Sequence, residues 1–386
     1  MTTLIFKGAH AYTEQGVIPD PLFRLEKGVI AELRPAQKED EGERIDAEEL
    51  RIVPGFIDIH IHGAAGADVM DGTEEALDTI ARALPAEGTT SFLATTLTQS
   101  IADTKQALAA AAAFQPDGEG AELLGVHLEG PFIHAARKGA QPEAFIVPPS
   151  IKLFEEFQEA AGGTIRLVTM APELDEEGLT EVLVGHGVIV SMGHTDATCS
   201  QTAEALARGV SHATHFYNGM RGFHHRDPGV VGGVLMNGSV RAELIADGVH
   251  VSPEACAFTY QQLGAERLLL ITDAMRAKGK EDGTYQLGGQ EVTVRGNEAV
   301  LEDGTLAGSV LRMHEAVRNM SEFSGASFEE AVQMASLQPA KALGVSDRKG
   351  SLATGKDADF TMLDPNGDVA KTYIKGVCVY NGGEDK

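Results

Sequence analysis

The 386-residue chain has only three cysteines, Cys199, Cys256 and Cys378, far apart and without a CxxC pair. That scarcity argues against a disulfide framework and makes a reducing cytoplasm the expected setting. Basic residues are scarce beside acidic ones: 31 Lys and Arg stand against 57 Asp and Glu, a formal net charge of −26. Such a surface repels nucleic acid and anionic membrane, so neither is an expected partner. No stretch of about 18 strongly apolar residues occurs, and the alanine-rich stretch 107–114 is far too short to span a bilayer. Residues 1–13 include a lysine and a histidine but no small-residue cleavage pattern, so no signal peptide is expected. Glycine-rich phosphate cradles are missing too, with neither GxxxxGK(S/T) nor a GxGxxG opening a helix.

What is present is ordinary folded composition, 43% apolar and 23% charged, over a length that suits a large barrel plus an accessory piece. The first fifty residues alternate short β-rich runs (3–7, 22–25, 29–33) with Gly, Pro and charge, which predicts small antiparallel strands. Seven of the eleven residues in 39–49 are acidic, and this stretch reads as a solvated loop. After Arg51 the texture changes to apolar runs that end in polar residues and alternate with helical stretches. Strands are expected at 55–62, 91–94, 123–129, 165–170, 188–194, 212–215, 242–245 and 268–272, with helices such as 73–86, 102–114, 198–208 and 253–263 between them. Eight βα units predict a (β/α)8 barrel. Short β-like runs return at 285–301, a helical region follows at 306–343, and terminal strands are expected at 360–363 and 369–380. The simplest assembly is a β-sandwich of 1–53 with 350–386, and a barrel over 54–349 carrying the insertion near 285–301.

Chemistry-bearing residues gather where these strands end: His60, His62, Glu129, His194, His215 and Asp273. In a barrel those ends converge on one mouth. The i, i+2 spacing of His60 and His62 points both imidazoles to one face, which suits a shared divalent ion or, alternatively, two polar residues on a half-buried strand. Glu129 is followed by Gly130-Pro131, which leaves its carboxylate at the rim, and His127 on the same face reads as a core histidine. Glu129, His194 and His215 make a three-ligand set with an open position, the pattern of catalytic metal sites. Asp273 ends the most apolar strand of the chain and suits a general base, with a helix cap as the competing reading. The loop from Asn218 to Gly229 concentrates Arg221, His224, His225 and Arg226 in an acidic chain, which suits an anion site or a mobile surface loop. His250 falls at the same rim and could hold substrate oxygens or serve as a buried, hydrogen-bonded histidine.

Together, Pro54-Gly-Phe-Ile-Asp-Ile-His-Ile-His-Gly63, His127-Leu-Glu-Gly-Pro-Phe132, Lys138-Gly-Ala-Gln-Pro142, Met192-Gly-His-Thr195, Thr214-His-Phe-Tyr-Asn-Gly-Met220, His225-Arg-Asp-Pro-Gly229, Asp247-Gly-Val-His250, Thr272-Asp-Ala274 and Leu306-Ala-Gly-Ser309 resemble the amidohydrolase superfamily. Within it the likeness is to the deacetylases of amino-sugar phosphates. The resemblance implies a barrel with a flanking β-sandwich. It also implies hydrolysis of N-acetylglucosamine-6-phosphate to glucosamine-6-phosphate and acetate, in amino-sugar catabolism or cell-wall sugar recycling. Glu129, His194 and His215 match main ligands for a divalent metal, zinc or ferrous iron first and manganese or cobalt next, and His60 and His62 match a second position. Asp273 matches the acid/base. Ala140, Asn218, Gly219, Arg226, His250, Leu306, Ala307 and Gly308 match contacts to the sugar phosphate, and Gln141 stands where some relatives carry a histidine near the reacting carbonyl. A homodimer with Arg226 reaching into the neighbour's site is also implied. The rival readings are another amidohydrolase, a cyclic amidase or deaminase, and a non-catalytic sugar-phosphate sensor.

Overall fold

In the computed structural model, which describes residues 2–383, the central apolar runs form eight parallel strands. They are β1 (Phe56–Ile61), β2 (Thr89–Thr96), β3 (Glu122–Glu129), β4 (Ile165–Met170), β5 (Ile189–Met192), β6 (His212–Ala213), β7 (Arg241–Leu244) and β8 (Leu268–Leu270). Each is hydrogen-bonded to the next in sequence order. The ring is closed just past β8, where Asp273 N–H donates to His60 O (2.8 Å) and His62 N–H to Ala274 O (2.9 Å). Parallel order puts every C-terminal strand end at one mouth. Side chains of Ile59, Ile61, Phe92, Val126, Leu128, Val168, Met170 and Leu269 belong to one buried core that the surrounding helices complete. The helices begin where the sequence supplies caps: Thr198 and Gln201 form a capping box at Cys199–Ala207, and Ser252 with Pro253 opens Pro253–Leu263.

Segments from both ends of the chain form a sandwich beside the barrel. One sheet orders Val29–Pro35, Pro21–Glu26, Thr2–Lys7 and Glu43–Asp46; the other orders Val377–Asn381, Val369–Ile374, Phe360–Leu363, Arg51–Pro54, His10–Thr13 and Gly16–Pro19. Their shared core stacks Phe360 between Phe23 (4.9 Å) and Tyr373 (4.5 Å), with Phe6 meeting all three edge-on. Cutting any of these phenylalanines to alanine would cost about 3–5 kcal/mol. The outermost residues of the expected sandwich, 1 and 384–386, lie outside the described residues.

Three expectations need correction. The acidic stretch is not all loop: Glu43–Asp46 is an edge strand pairing parallel with Thr2–Lys7, and its charges face solvent, where they discourage further pairing. Residues 306–312 are not helical; helix begins at Met313–Ser324, and Phe328–Ala335 and Leu337–Ala342 follow. The strands expected to reach His194, His215 and Thr272 stop at Met192, Ala213 and Leu270, because the chain turns out of the ladder there. Between β8 and the helices, Gly283–Leu287, Gln290–Arg295 and Glu298–Val300 form an antiparallel sheet whose Leu287, Val292 and Val294 pack on Leu97 and Met275. Among the described residues no helix is long and apolar enough to cross a membrane.

Candidate active site at the barrel mouth

His194, His215 and Asp273 all have left-handed backbone, with φ of 47°, 29° and 48°. Non-glycine residues rarely adopt it, and here it swings each side chain off its strand direction and over the mouth. Two glycines make room. A Cβ on Gly219 (φ +58°) would sit 3.0 Å from His194 Nδ1, and one on Gly308 (φ +66°) would sit 3.1 Å from Asp273 O.

The side chains so placed converge. Glu129 Oε1 lies 3.1 Å from His194 Nε2 and 3.2 Å from His215 Nε2, and the two imidazole nitrogens are 3.1 Å apart. On the other side, His62 Nε2 lies 3.3 Å from Glu129 Oε2 and 3.2 Å from Asp273 Oδ1, and His60 Nε2 lies 3.4 Å from that same aspartate oxygen. Thus Glu129, His194 and His215 form one set with metal-ligand spacing, and His60, His62 and Glu129 form a second. The hydrogen bonds fix which ring atoms face inward. His62 Nδ1 donates to Thr95 O (3.2 Å) and His194 Nδ1 to Arg137 O (2.8 Å), so each presents an Nε2 lone pair to carboxylate oxygens. Lone pairs aimed at anions need a positive charge between them, and the buried Nε2 of His60 has no hydrogen-bond partner at all. The donor set therefore fits a divalent cation.

The electrostatics agree. Burial opposes charge on His60, yet Asp273, Glu129 and Glu243 push its pKa up to about 9, and His62 is raised well above its ordinary value against the same penalty. Burial likewise opposes ionisation of Asp273, but His60 and His62 hold its carboxyl below the usual range. The mouth thus stabilises carboxylates and positive charge together, whether protons or a metal supply that charge. His127 is fully buried, hydrogen-bonded to Thr169 Oγ1 (2.7 Å), and burial pulls its pKa well down.

A cavity of about 250 Å³ opens over this cluster, lined among others by Ala140, Gln141, Asn218, Gly219, His250, Leu306 and Gly308. His250 Nδ1 is held by Asp247 Oδ2 at 2.6 Å, which leaves Nε2 for the cavity. Gln141 is braced at both ends: its Oε1 accepts from Thr98 N–H (2.7 Å) and its Nε2 donates to Glu129 Oε2 (2.8 Å). Ala307, also expected here, is fully buried with its N–H given to Ala299 O (2.9 Å), and Arg226, expected to reach into a neighbouring chain's site, is exposed, beside His225 Nε2 (2.9 Å). Arg221 is spoken for as well, paired with Asp196 (2.6 Å) and Asp227 (2.9 Å). The sequence reading passes over Glu243, which hydrogen-bonds His60 Nδ1 at 3.0 Å. Its one signal is an acid set between Ala242 and Leu244 in a core strand. A third acidic group, Glu122, Asp357 and Asp359, is already filled by the Lys349 ammonium.

Comparisons with known proteins agree with this geometry. A model of the amidohydrolase family matches residues 51–379. The chain is 45% identical to an N-acetylglucosamine-6-phosphate deacetylase of Bacillus subtilis, over 97% of this chain and 96% of that one. It is 40% identical to an N-acetylgalactosamine-6-phosphate deacetylase of Escherichia coli O157:H7, over 97% and 98%. Among solved structures, a mutant N-acetyl-D-glucosamine-6-phosphate deacetylase from Mycobacterium smegmatis in complex with N-acetyl-D-glucosamine-6-phosphate superposes with a TM-score of 0.91 at 30% identity, covering 98% of this chain and 99% of that one.

Proposed function

The chain belongs to the amidohydrolase family, and we propose that it hydrolyses the acetamide of N-acetylglucosamine-6-phosphate to glucosamine-6-phosphate and acetate. The observation that carries this reading is the closed end of the cavity, where Asp273 stands beside two sets of inward-facing imidazoles that share Glu129. Glu129, His194 and His215 would hold one divalent ion and His60 and His62 a second, with zinc or ferrous iron the expected metals. Such an ion, when bound, supplies Lewis acidity to a carbonyl oxygen and makes water a better nucleophile at neutral pH.

The remaining work falls to the chain. Asp273, kept ionised by His60 and His62, takes the proton of the attacking water, and its acid form returns that proton to the departing amine. Gln141 pins Glu129 so that its two oxygens face the two imidazole sets. His250, oriented by Asp247, presents Nε2 as an acceptor for a sugar hydroxyl, and the buried Asn218 Nδ2, which has no partner among the described residues, offers a donor to a sugar oxygen. Leu97, Leu287 and Leu306 wall the acetamide off from bulk water. We assign the phosphate to Arg226 of a second copy of the chain in a homodimer; support comes from Arg226 being exposed and absent from the lining of its own chain's cavity, on a loop where Phe223 is 64% exposed. Catalysis belongs to 54–349, with 1–53 and 350–386 as the accessory unit, and three free cysteines suit the cytoplasm.

The test is acetate release from the 6-phosphate and from free N-acetylglucosamine, before and after chelation, with metal content measured on the same sample. Chelator-sensitive release confined to the phosphorylated sugar is expected; equal turnover of the free sugar would defeat the phosphate reading. The E. coli relative favours a second reading, the galactosamine-6-phosphate series, which the same assay with that epimer decides.

A further inference from the structure

Glu243 sits on β7 with no exposed surface. Its Oε2 accepts from His60 Nδ1 at 3.0 Å and from His215 N–H at 3.4 Å, and its Oε1 is buried without a partner. The fold does not ask for this carboxylate, because the backbone of β7 is already paired to β6 and β8. An ionised carboxylate buried with half its acceptor capacity unused is costly unless a positive charge answers it. Of the four inward imidazoles, His62 and His194 lean on backbone carbonyls and His215 Nδ1 has no partner; His60 alone is braced by a charged group. The His127 ring, 4.5 Å away and nearly perpendicular, fixes the plane of His60 but cannot decide which nitrogen carries the proton. Glu243 does decide it.

We propose that Glu243 is a positioning residue: it holds the His60 proton on Nδ1, turns Nε2 inward as a lone-pair donor beside His62, and so sets the affinity of the His60–His62 position for a divalent ion. The inference rests on reading the mouth as a metal site. Charge supports it, since Glu129, Asp273 and Glu243 meet there, no lysine or arginine among the described residues lines the cavity, and one divalent ion leaves one of the three carboxylates unanswered.

The experiment strips the full-length protein with a chelator and titrates zinc against a chromophoric competitor. The unaltered chain should take up two zinc ions. Glu243→Gln keeps the size and one acceptor of the side chain but removes its charge, and should weaken one of the two ions about 10- to 100-fold while the other is unchanged. His60→Gln should lose that same ion, and the double variant should lose no more than His60→Gln alone. A merely structural Glu243 would lower the unfolding temperature and leave both zinc affinities alone, which would overturn the proposal, as would saturation of the unaltered chain at one ion. Should Glu243→Gln fail to fold, Glu243→Asp, which draws the charge back by one methylene, must weaken the same ion; unchanged affinity there also overturns the proposal. Acetate release plays no part in these readings, so a chain inactive on the amino-sugar phosphate but with a Glu243-dependent second zinc would remove the proposed substrate and keep this inference.

Discussion

Two acidic clusters among the described residues, one fully buried and one half-buried, are balanced in opposite ways. At the foot of the barrel, Glu122, Asp357 and Asp359 surround Lys349, whose ammonium is 3.0 Å from Glu122 and 3.3 Å from Asp357, while Arg348 forks between Glu122 (2.6 Å) and Asp357 (2.7 Å). Lys375, 3.8 Å from Glu122, completes the count of three cations for three carboxylates. That cluster ties β3 to the terminal sheets and is closed to any further ion. At the mouth, imidazoles are the chargeable partners that Glu129, Asp273 and Glu243 face among the described residues, and no lysine or arginine pairs with them. The chain supplies its own counter-charge where it needs adhesion between domains, and leaves it to be imported where it needs chemistry.

The comparison breaks most severely at Asp273. Asp273→Asn removes the proton acceptor and keeps its shape, so kcat should fall about 100- to 10,000-fold with metal content unchanged. A variant that retained the original kcat would remove Asp273 from the mechanism. Lys349→Met is the corresponding break at the foot. It leaves Asp359 without a side-chain cation in a site where the lysine is only 2% exposed, while Arg348 still holds Glu122 and Asp357, at a cost of about 3–5 kcal/mol read from the urea midpoint, with kcat and metal content unmoved. If acetate release fell in a folded Lys349→Met protein, the two clusters would not be separable.

Much of the mouth is legible in the sequence because its residues are polar punctuation at the ends of apolar runs: His60-Ile-His62, Glu129 before Gly130-Pro131, and Asp273 one threonine past four apolar residues. The barrel follows from the same alternation. The missed parts are non-local or concern backbone. Glu243 meets His60 across 183 residues, and no periodicity links them. The left-handed turns at His194, His215 and Asp273 shorten three strands by two residues, yet histidine and aspartate carry no glycine-like mark of such a turn. The Lys349 cluster joins residues 122 and 349–359, which only the packed sandwich brings together.

A smaller effect sharpens the contrast through pH. Burial opposes ionisation of Glu122, but Arg348 and Lys349 outweigh it and bring its pKa from 4.5 down to about 2. A carboxyl depressed in the folded state adds stability above its unfolded pKa and loses it as pH falls. The cluster's contribution, about 2–3 kcal/mol, should therefore be complete above pH 4.5 and drain away between there and about pH 2. Urea midpoints of the original chain and Glu122→Gln should converge over that interval. Parallel curves would mean that Glu122 titrates alike in both states and that its cluster is no staple.

The smallest effect belongs to a third group, again three acids around one cation as around Lys349, but without burial. Arg82 pairs with Asp78 (2.8 Å), Glu119 (2.6 Å) and Asp117, and its side chain is 38% exposed, with those of its partners 42–74% exposed. Water competes for every one of these charges and salt screens them, so the ordering of long side chains offsets nearly all of the attraction. Arg82→Ala should leave the urea midpoint within replicate scatter at physiological salt and shift it only slightly at low salt, with catalysis and metal content unaltered. A loss as large as that of Lys349→Met would show that counting charges suffices. The expected silence makes burial, and not the number of carboxylates around a cation, the property that separates a staple from a solvated cluster and leaves the mouth dependent on an imported ion.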